Sequence, residues 1–314
     1  MAEAAAGPVG IYEHPQLIGP TTTSQSLDNA RRLATVVLLR GLQAQAAGDP
    51  LRFVGGLRVS LALAASLRNK SVVAALHAGY MVERTTASAV QSWLTAMPAE
   101  PGLVRTAVRV WALTQAVALL QEADDRAPFD PRPNLLAERY LLREWLKGPS
   151  QWLPDRLTPS GGQRDAANPE ADLVGFAWTV PWERERTRRL LGLGFEAGFP
   201  PPRARALVWD RPGAELLLAR RPSPEELATD ERNARVVRRA TLLRAAVRLY
   251  QERAGSVPAA LEDLVAAKVL PAVPLDPFDD RPFRYRVQAR DDPFRGVGLP
   301  VTSGPSCFLI IIFN

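Results

Sequence analysis

Few residues in this chain have the types and spacing that do chemistry, and each has a structural reading beside the chemical one. Gly192-x-Gly194-x-x-Ala197 fits the letters of a dinucleotide fingerprint, in which a glycine turn brings a pyrophosphate to a helix N-terminus. That fingerprint needs a strand before the turn. Here the charged, helical run ERERTRRLL precedes it, so the glycines read as a helix stop. Glu183 and Glu185 could form an acid–base pair, but carboxylates two residues apart leave a helix on different faces. Ion pairs of Glu183 with Arg186, and of Glu185 with Arg188 or Arg189, suit the spacing better. Asp276, Asp279, Asp280, Asp291 and Asp292 crowd one region and read as turn and cap residues. Two histidines, His14 and His77, and one cysteine, Cys307, cannot build a His/Cys zinc site of the usual kinds. A single cysteine also excludes an intramolecular disulfide. The phosphate-loop, zinc-protease and nucleophile-elbow motifs are missing. No catalytic, cofactor-binding or metal-ligating residue is assigned from sequence.

The elements around these residues are mainly helical. Residues 1–24 are rich in Ala, Gly, Pro and Thr and read as a flexible arm. Residues 25–148 read as a helical bundle. Its first helix, from about Asn29 to Ala47, carries Leu33, Val36, Val37, Leu38, Gly41 and Leu42 and breaks at Gly48-Asp49-Pro50. A second, about Leu51 to Leu67, carries Phe53, Val54, Leu57 and Leu61. Its Gly55-Gly56 pair costs about 1–2 kcal/mol of helix propensity and points to a closely packed neighbour. A third carries Val73, Leu76, Tyr80, Val90 and Trp93 and ends at Pro98 and Pro101. The fourth, about Leu103 to Ala123, offers Val104, Val108, Trp111, Ala112, Gln115, Leu119 and Leu120, and the fifth Leu136, Tyr140, Leu141, Trp145 and Leu146. Short breaks between consecutive helices favour antiparallel neighbours. Residues 149–170 form a linker or mobile loop, and 171–222 a helical segment in which Trp178 and Trp182, one turn apart, read as core.

Residues 223–314 carry the clearest design. Ser223 caps a helix start at Pro224-Glu225-Glu226. Val236, Ala240, Leu243, Val247 and Tyr250 form an apolar stripe, widened by Leu242, Ala246 and Leu249. Arg235, Arg238, Arg244, Arg248 and Arg253 fall mostly outside it and are expected in solvent. Gly255 stops the helix, Pro258 opens a short one with Leu261, Leu264 and Val265, and Pro271, Pro274 and Pro277 impose an extended path. Asp279-Asp280 mark a turn, and Phe283, Tyr285 and Val287 alternate with Arg284 and Arg286 as a strand does. The apolar tail Cys307 to Phe313 reads as a strand pairing with Phe283–Val287; the alternative is a shifted reading frame at the 3′ end.

Composition sets outer bounds. A chain of 314 residues can bury roughly 75% of its unfolded surface. The net charge of +6 is almost all arginine, with lysine only at Lys70, Lys147 and Lys268. The charges are distributed over every helix, with acids mixed in along the chain, which disfavours a nucleic-acid surface. No run approaches 18 apolar residues, and the N-terminus lacks the regions of a signal peptide. As written the chain is expected in the cytoplasm, or in the cell envelope if an N-terminal anchor is missing.

About residues 245–287 resemble the segment after the long helix of the type II secretion major pseudopilin. The matching residues are Tyr250, Gly255, Pro258, Leu261, Asp263, Leu264, Leu270, Pro271, Pro274, Asp276, Pro277, Phe278, Pro282 and Tyr285. The whole chain is similar to an uncharacterised bacterial helical protein family with a P-W-E-R-E-R segment, here Pro181 to Arg186, and this module near the C-terminus. Those proteins commonly carry an N-terminal membrane helix, and no such helix is read here. Pseudopilins often bind calcium in the loop after the strand, but their ligand-rich loop is not recognisable in this sequence. The resemblance implies a local fold and no activity.

The fold expected is therefore mainly α: an antiparallel helical bundle or array, with a C-terminal long helix plus a small β element. The function expected is that of a non-catalytic interaction or scaffold protein with a protein partner and no cofactor. The alternatives are an enzyme with an unrecognised active site and an arginine-rich nucleic-acid-binding helical protein.

Overall fold

The computed structural model describes residues 25–69, 71–97, 103–125, 129–146, 182, 185, 224–288 and 308–312. The arm at 1–24, the linker at 149–170, the glycines at 192 and 194, Ser223, Trp178, Glu183, Asp291 and Asp292 lie outside the described residues, as does the rest of 171–222 apart from Trp182 and Glu185. Trp182 is 70% exposed, so it is not a core residue as its spacing had implied.

Helices α1 (Gln25–Ala46), α2 (Leu51–Arg68), α3 (Val73–Thr95), α4 (Leu103–Asp124) and α5 (Arg132–Leu146) come first. The long helix α6 (Pro224–Ala254), the five-residue α7 (Glu262–Ala266) and strands β1 (Arg284–Gln288) and β2 (Phe308–Ile312) follow. The fold is the mainly helical one expected, with a C-terminal long helix and a minimal β element. No helix among the described residues is long and apolar enough to cross a membrane.

The helices α2, α3, α6 and α4 pack as a four-sided bundle, each touching the next around the ring. Helix α1 lies on α2 and α3, and α5 flanks α3. So α3 and α4, though consecutive, are not close neighbours; α6 separates them as the wall between. One apolar core joins Leu38 of α1, Phe53 and Leu57 of α2, Val90 and Trp93 of α3, Leu113 and Val117 of α4, and Leu243 and Val247 of α6. Residues from the 25–148 and 223–314 segments thus meet in one interior. The Phe53 and Trp93 rings stack at its centre, 4.7 Å apart and 14° from parallel.

Two apolar faces differ from the sequence reading. On α4 the buried stripe is Ala112, Leu113, Ala116, Val117, Leu120 and Ala123, while Trp111 stands 54% exposed. Alanines keep this face of α4 low where the helix packs on α6, and an indole there would hold the helices apart. On α5, Leu136 and Tyr140 are 56% and 55% exposed, while Leu135 packs against the Val73–Leu76–Tyr80–Leu227 cluster and Asn134 and Glu138 are buried beside it.

The C-terminal module ends α6 at Gly255, whose φ of +74 is the left-handed geometry of a helix stop. Pro258 precedes α7 rather than opening it, because the Asp263 carboxylate takes the Ala259 and Ala260 N–H groups at 2.8 and 3.0 Å and holds that turn outside the helix. The Pro258 carbonyl accepts the Tyr285 hydroxyl at 2.9 Å, tying β1 to the start of α7. Asp276 and Asp279 serve as turn residues, accepting the N–H groups of Phe278 and Arg281 at 2.9 and 3.0 Å. Strand β1 pairs in parallel with β2, Arg284 opposite Phe308, so the apolar tail does join the strand expected.

The glycine pair of α2 gives a direct test of the packing. A methyl group on Gly56 would stand 2.8 Å from the Val37 carbonyl oxygen of α1, whereas one on Gly55 would meet nothing within 4 Å. Gly56→Ala is expected to destabilise by about 1–3 kcal/mol through overpacking against backbone. Gly55→Ala is expected to be neutral or to stabilise by up to about 1 kcal/mol through helix propensity. Urea unfolding of the two variants checks the contrast.

Candidate functional site

The most concentrated chemistry among the described residues lies where α2 ends, between α3 and α6. Arg68 is the last residue of α2; Tyr80 and Glu83 face inward from α3; Glu231 and Arg238 face inward from α6. Glu231 and Arg238 stand seven residues apart, two helical turns, and so share one face. Leu227, Ala234, Thr241 and Ala245 continue that face above and below them. On α3, Glu83 interrupts a stripe of Leu76, Tyr80, Val90 and Trp93 in the same way.

The four charged side chains close into a ring. Arg68 reaches Glu83 through Nη1 at 2.6 Å and Glu231 through Nη2 at 2.7 Å. Arg238 reaches the other oxygens of the same two carboxylates, Glu83 at 2.7 Å and Glu231 at 2.6 Å. Each guanidinium therefore bridges both carboxylates, and each carboxylate spends both oxygens on arginine. The ring is electrically neutral and almost dry, Arg68 being the most exposed member at 16%. Charge-assisted hydrogen bonds of this length are the strong kind.

Neighbours complete the environment. The Tyr80 hydroxyl donates to Glu231 Oε2 at 3.1 Å, and the Arg68 guanidinium lies 5.5 Å from the centre of the Tyr80 ring. Arg235 adds a longer contact to Glu231 at 3.7 Å. Asp124, at the end of α4, pairs with Arg239 at 2.8 Å and faces Arg238 Nε at 3.9 Å, beyond hydrogen-bond reach. Asn134 of α5 donates to the carbonyls of Arg68 and Ser71, which carry the chain out of α2. Glu138 accepts the Val73 N–H at the start of α3. Gly79 leaves the space through which Arg68 passes: a methyl group there would sit 2.6 Å from Arg68 Cγ.

Burial and the neighbouring charges act on Tyr80 and Arg238. Burial pushes the Tyr80 phenol far above its ordinary value, and the Glu231 carboxylate beside it pushes the same way. Burial alone would weaken the Arg238 charge, but Glu83 and Glu231 more than offset that and hold it firmly protonated. Both carboxylates turn their two oxygens toward guanidinium groups inside the bundle rather than toward a substrate. Guanidinium does not release a proton near neutral pH. The arrangement fits cross-linking of three helices and does not fit acid–base catalysis. A second polar link joins α4 to α6, where Glu252 meets Arg248 at 2.8 Å and Arg109 at 3.3 Å. Between α2 and α3, the Thr86 hydroxyl spends its proton on the Val82 carbonyl, so Ser60 must donate in the buried 2.6 Å contact between the two hydroxyls.

Sequence reasoning placed none of the ring residues in a site, and it put Arg238 in solvent; the structure buries it. The signal was present as charge standing on an apolar stripe, Glu231 and Arg238 on α6 and Glu83 on α3. Of the residues singled out by type, His77 pairs with Asp230 at 3.3 Å on the surface. No group of three or more His, Cys, Asp or Glu among the described residues is arranged to hold a metal ion. Comparisons with protein-family models, with curated proteins and with solved structures find no match to this chain.

Two outcomes follow from the geometry. Glu231→Ala leaves two buried guanidinium groups short of a partner and is expected to cost about 3–5 kcal/mol, measured by chemical denaturation. The Tyr80 phenol, raised in the folded state, holds its proton where the unfolded chain loses it, from about pH 10 upward. The unfolded state then binds fewer protons, so this contribution to stability is complete below about pH 10 and falls as pH rises. Tyr80→Phe is expected to lose about 1.5–3 kcal/mol at neutral pH and to show a shallower alkaline decline in Tm than the parent. An unchanged alkaline slope would contradict the assignment.

Proposed function

We propose that this protein is a non-catalytic interaction or scaffold protein associated with the cell envelope. The observation that carries the reading is how the charged side chains are used. The buried ring and the Arg109–Glu252–Arg248 link spend their charges bridging helices rather than facing a substrate. The arginines of α6 have protein partners too. Arg232 lies against Thr229 and the Phe278 ring, Arg239 pairs with Asp124, Arg244 with Gln91, and Arg253 with Thr114. That pattern speaks against a phosphate-gripping face on α6, which needs arginines aimed outward. Large apolar groups meanwhile stand on the surface: Leu136 and Tyr140, one turn apart on α5, and Trp111 on α4. Aromatic side chains in such positions are the common anchors of protein interfaces. The envelope half of the proposal rests on the resemblance of residues 245–287 to the pseudopilin module.

The test is cross-linked co-purification of the chain from its native host at native level, with envelope and soluble fractions kept separate. The expected result is one protein partner in constant ratio, found with the envelope and reduced tenfold or more by Leu136→Glu with Tyr140→Glu in a chain that keeps its helical signal. A partner-free chain in the soluble fraction that consumes a compound from a metabolite mixture would overturn the reading in favour of an enzyme. Salt-sensitive retention on nucleic acid would overturn it in favour of the arginine-rich binder.

A further inference from the structure

We infer that the outward face of α4 is a self-association surface: a second copy of this chain lays its own α4 antiparallel on it, about a two-fold axis at Thr114 and Gln115. The argument begins with charge. From Thr106 to Gln121 the only charged residue is Arg109, and its side chain is buried. The other polar residues of that run are Thr106, Thr114, Gln115 and Gln121. A helix apolar nearly all round belongs in the interior of a fold. Yet among the described residues α4 packs mainly on α6 and α2, and Ala107, Trp111 and Ala118 are exposed on its far side. Helix α1 also packs mainly on two helices, α2 and α3, but its outer side carries Arg31, Arg32 and Arg40 in solvent. The open side of α4 has no such charge over about four turns. An acidic or basic partner finds nothing there to pair with, whereas an identical uncharged face matches it.

The spacing of the face favours a copy of itself. Ala107, Trp111, Thr114, Gln115, Ala118 and Glu122 recur at helical intervals, and the steps are the same read from either end. An antiparallel copy therefore sets its Ala118 against Trp111 and its Trp111 against Ala118, large on small at both places. Ala107 faces Glu122 at each end. The Gln115 amide, half-buried at the middle of the stripe, can donate to and accept from its counterpart across the axis. Trp111 is 54% exposed and has roughly 100 Å² of surface left to bury. One helix face per copy buries less than about 1,200 Å² in total, the class of weak and reversible contacts. The dissociation constant is therefore expected at about 10–100 μM.

Sedimentation equilibrium of the full chain tests the proposal, and a reversible monomer–dimer equilibrium of that strength is expected. Arg253 of α6 donates to Thr114 from the flank, so the nearest charges are alike in the two copies. Association is accordingly expected to hold or strengthen from about 0.05 to 0.5 M salt. Trp111→Ala and Ala118→Glu, both at exposed positions, are expected to weaken it about tenfold or more and to leave the helical signal unchanged. Ala107→Arg is expected to tighten it severalfold by meeting Glu122 of the copy. In a Cys307→Ser chain, Gln115→Cys is expected to link two copies by a disulfide about tenfold faster than Arg58→Cys, which lies on the exposed side of α2. The inference rests on α4 and not on the partner face of α5. Leu136→Glu with Tyr140→Glu is therefore expected to leave the equilibrium unchanged, so the two readings fail separately. A chain that stays monomeric at about 500 μM, or a dimer that Trp111→Ala leaves intact, would overturn the proposal.

Discussion

Burying charge is expensive, and this bundle buries four charged groups in one place. Taking a carboxylate or a guanidinium out of water costs several kcal/mol even after relaxation, and attraction offsets that cost only when every lone pair and proton finds a partner. The ring formed by Arg68, Glu83, Arg238 and Glu231 approaches that condition by geometry. Two planar forks face two carboxylates so that each group bridges both of its opposites. Such an arrangement requires α2, α3 and α6 to meet at one height. The bundle is closed through that meeting, because α3 and α4 are joined through α6 on one side and through α2 on the other.

The same demand explains the small residues nearby. Gly79 makes room for the stem of Arg68, and Gly56 lets α1 bring the Val37 carbonyl against α2. Gly41 on α1 works reciprocally, lying against the backbone of Phe53. Where two helices come this close, the large side chains are pushed to the next available space. Here that space is the core centre, where Phe53 stacks on Trp93. Polar helix ends are treated similarly: Asn134 and Glu138 satisfy backbone groups between α2 and α3, with Leu135 packed beside them, and Leu136 and Tyr140 are left outside.

Much of this was legible in the sequence, and what was not has a physical cause. Helix boundaries showed because glycine and proline mark them: Gly48 to Pro50 separates α1 from α2, and Gly255 ends α6. The stripe of Ala240, Leu243, Val247 and Tyr250 showed because apolar residues recur there at helical spacing. The α4 face was misread because Ala, Leu and Val offer several stripes at similar spacing, and the eye follows the aromatic; close approach to α6 favoured alanine instead. The ring could not be found by spacing within one helix, because Glu83 and Arg238 are 155 positions apart and complete one another only in space. Treating arginine as a solvent residue was the specific error. Its planar fork is suited to buried pairing when two carboxylates are supplied.

The C-terminal module extends the same logic to the far side of α6. Arg239, next to Arg238 in sequence, donates both to Asp124 of α4 and to the carbonyl of Leu275. Arg232 lies over the Phe278 ring, 5.4 Å from its centre. Adjacent arginines on one helix therefore serve opposite partners, the bundle interior and the proline-paced loop. That loop keeps its own shape through Asp276, whose N–H meets the Arg281 carbonyl at 2.7 Å and whose carboxylate holds the Phe278 N–H at 2.9 Å. A module shaped by its own turns and fastened by arginine to a helix of the bundle can hold one orientation relative to it. The fastening runs through Arg239 to the Leu275 carbonyl and through Arg232 to the Phe278 ring, both on the same helix that carries Glu231 and Arg238 of the buried ring.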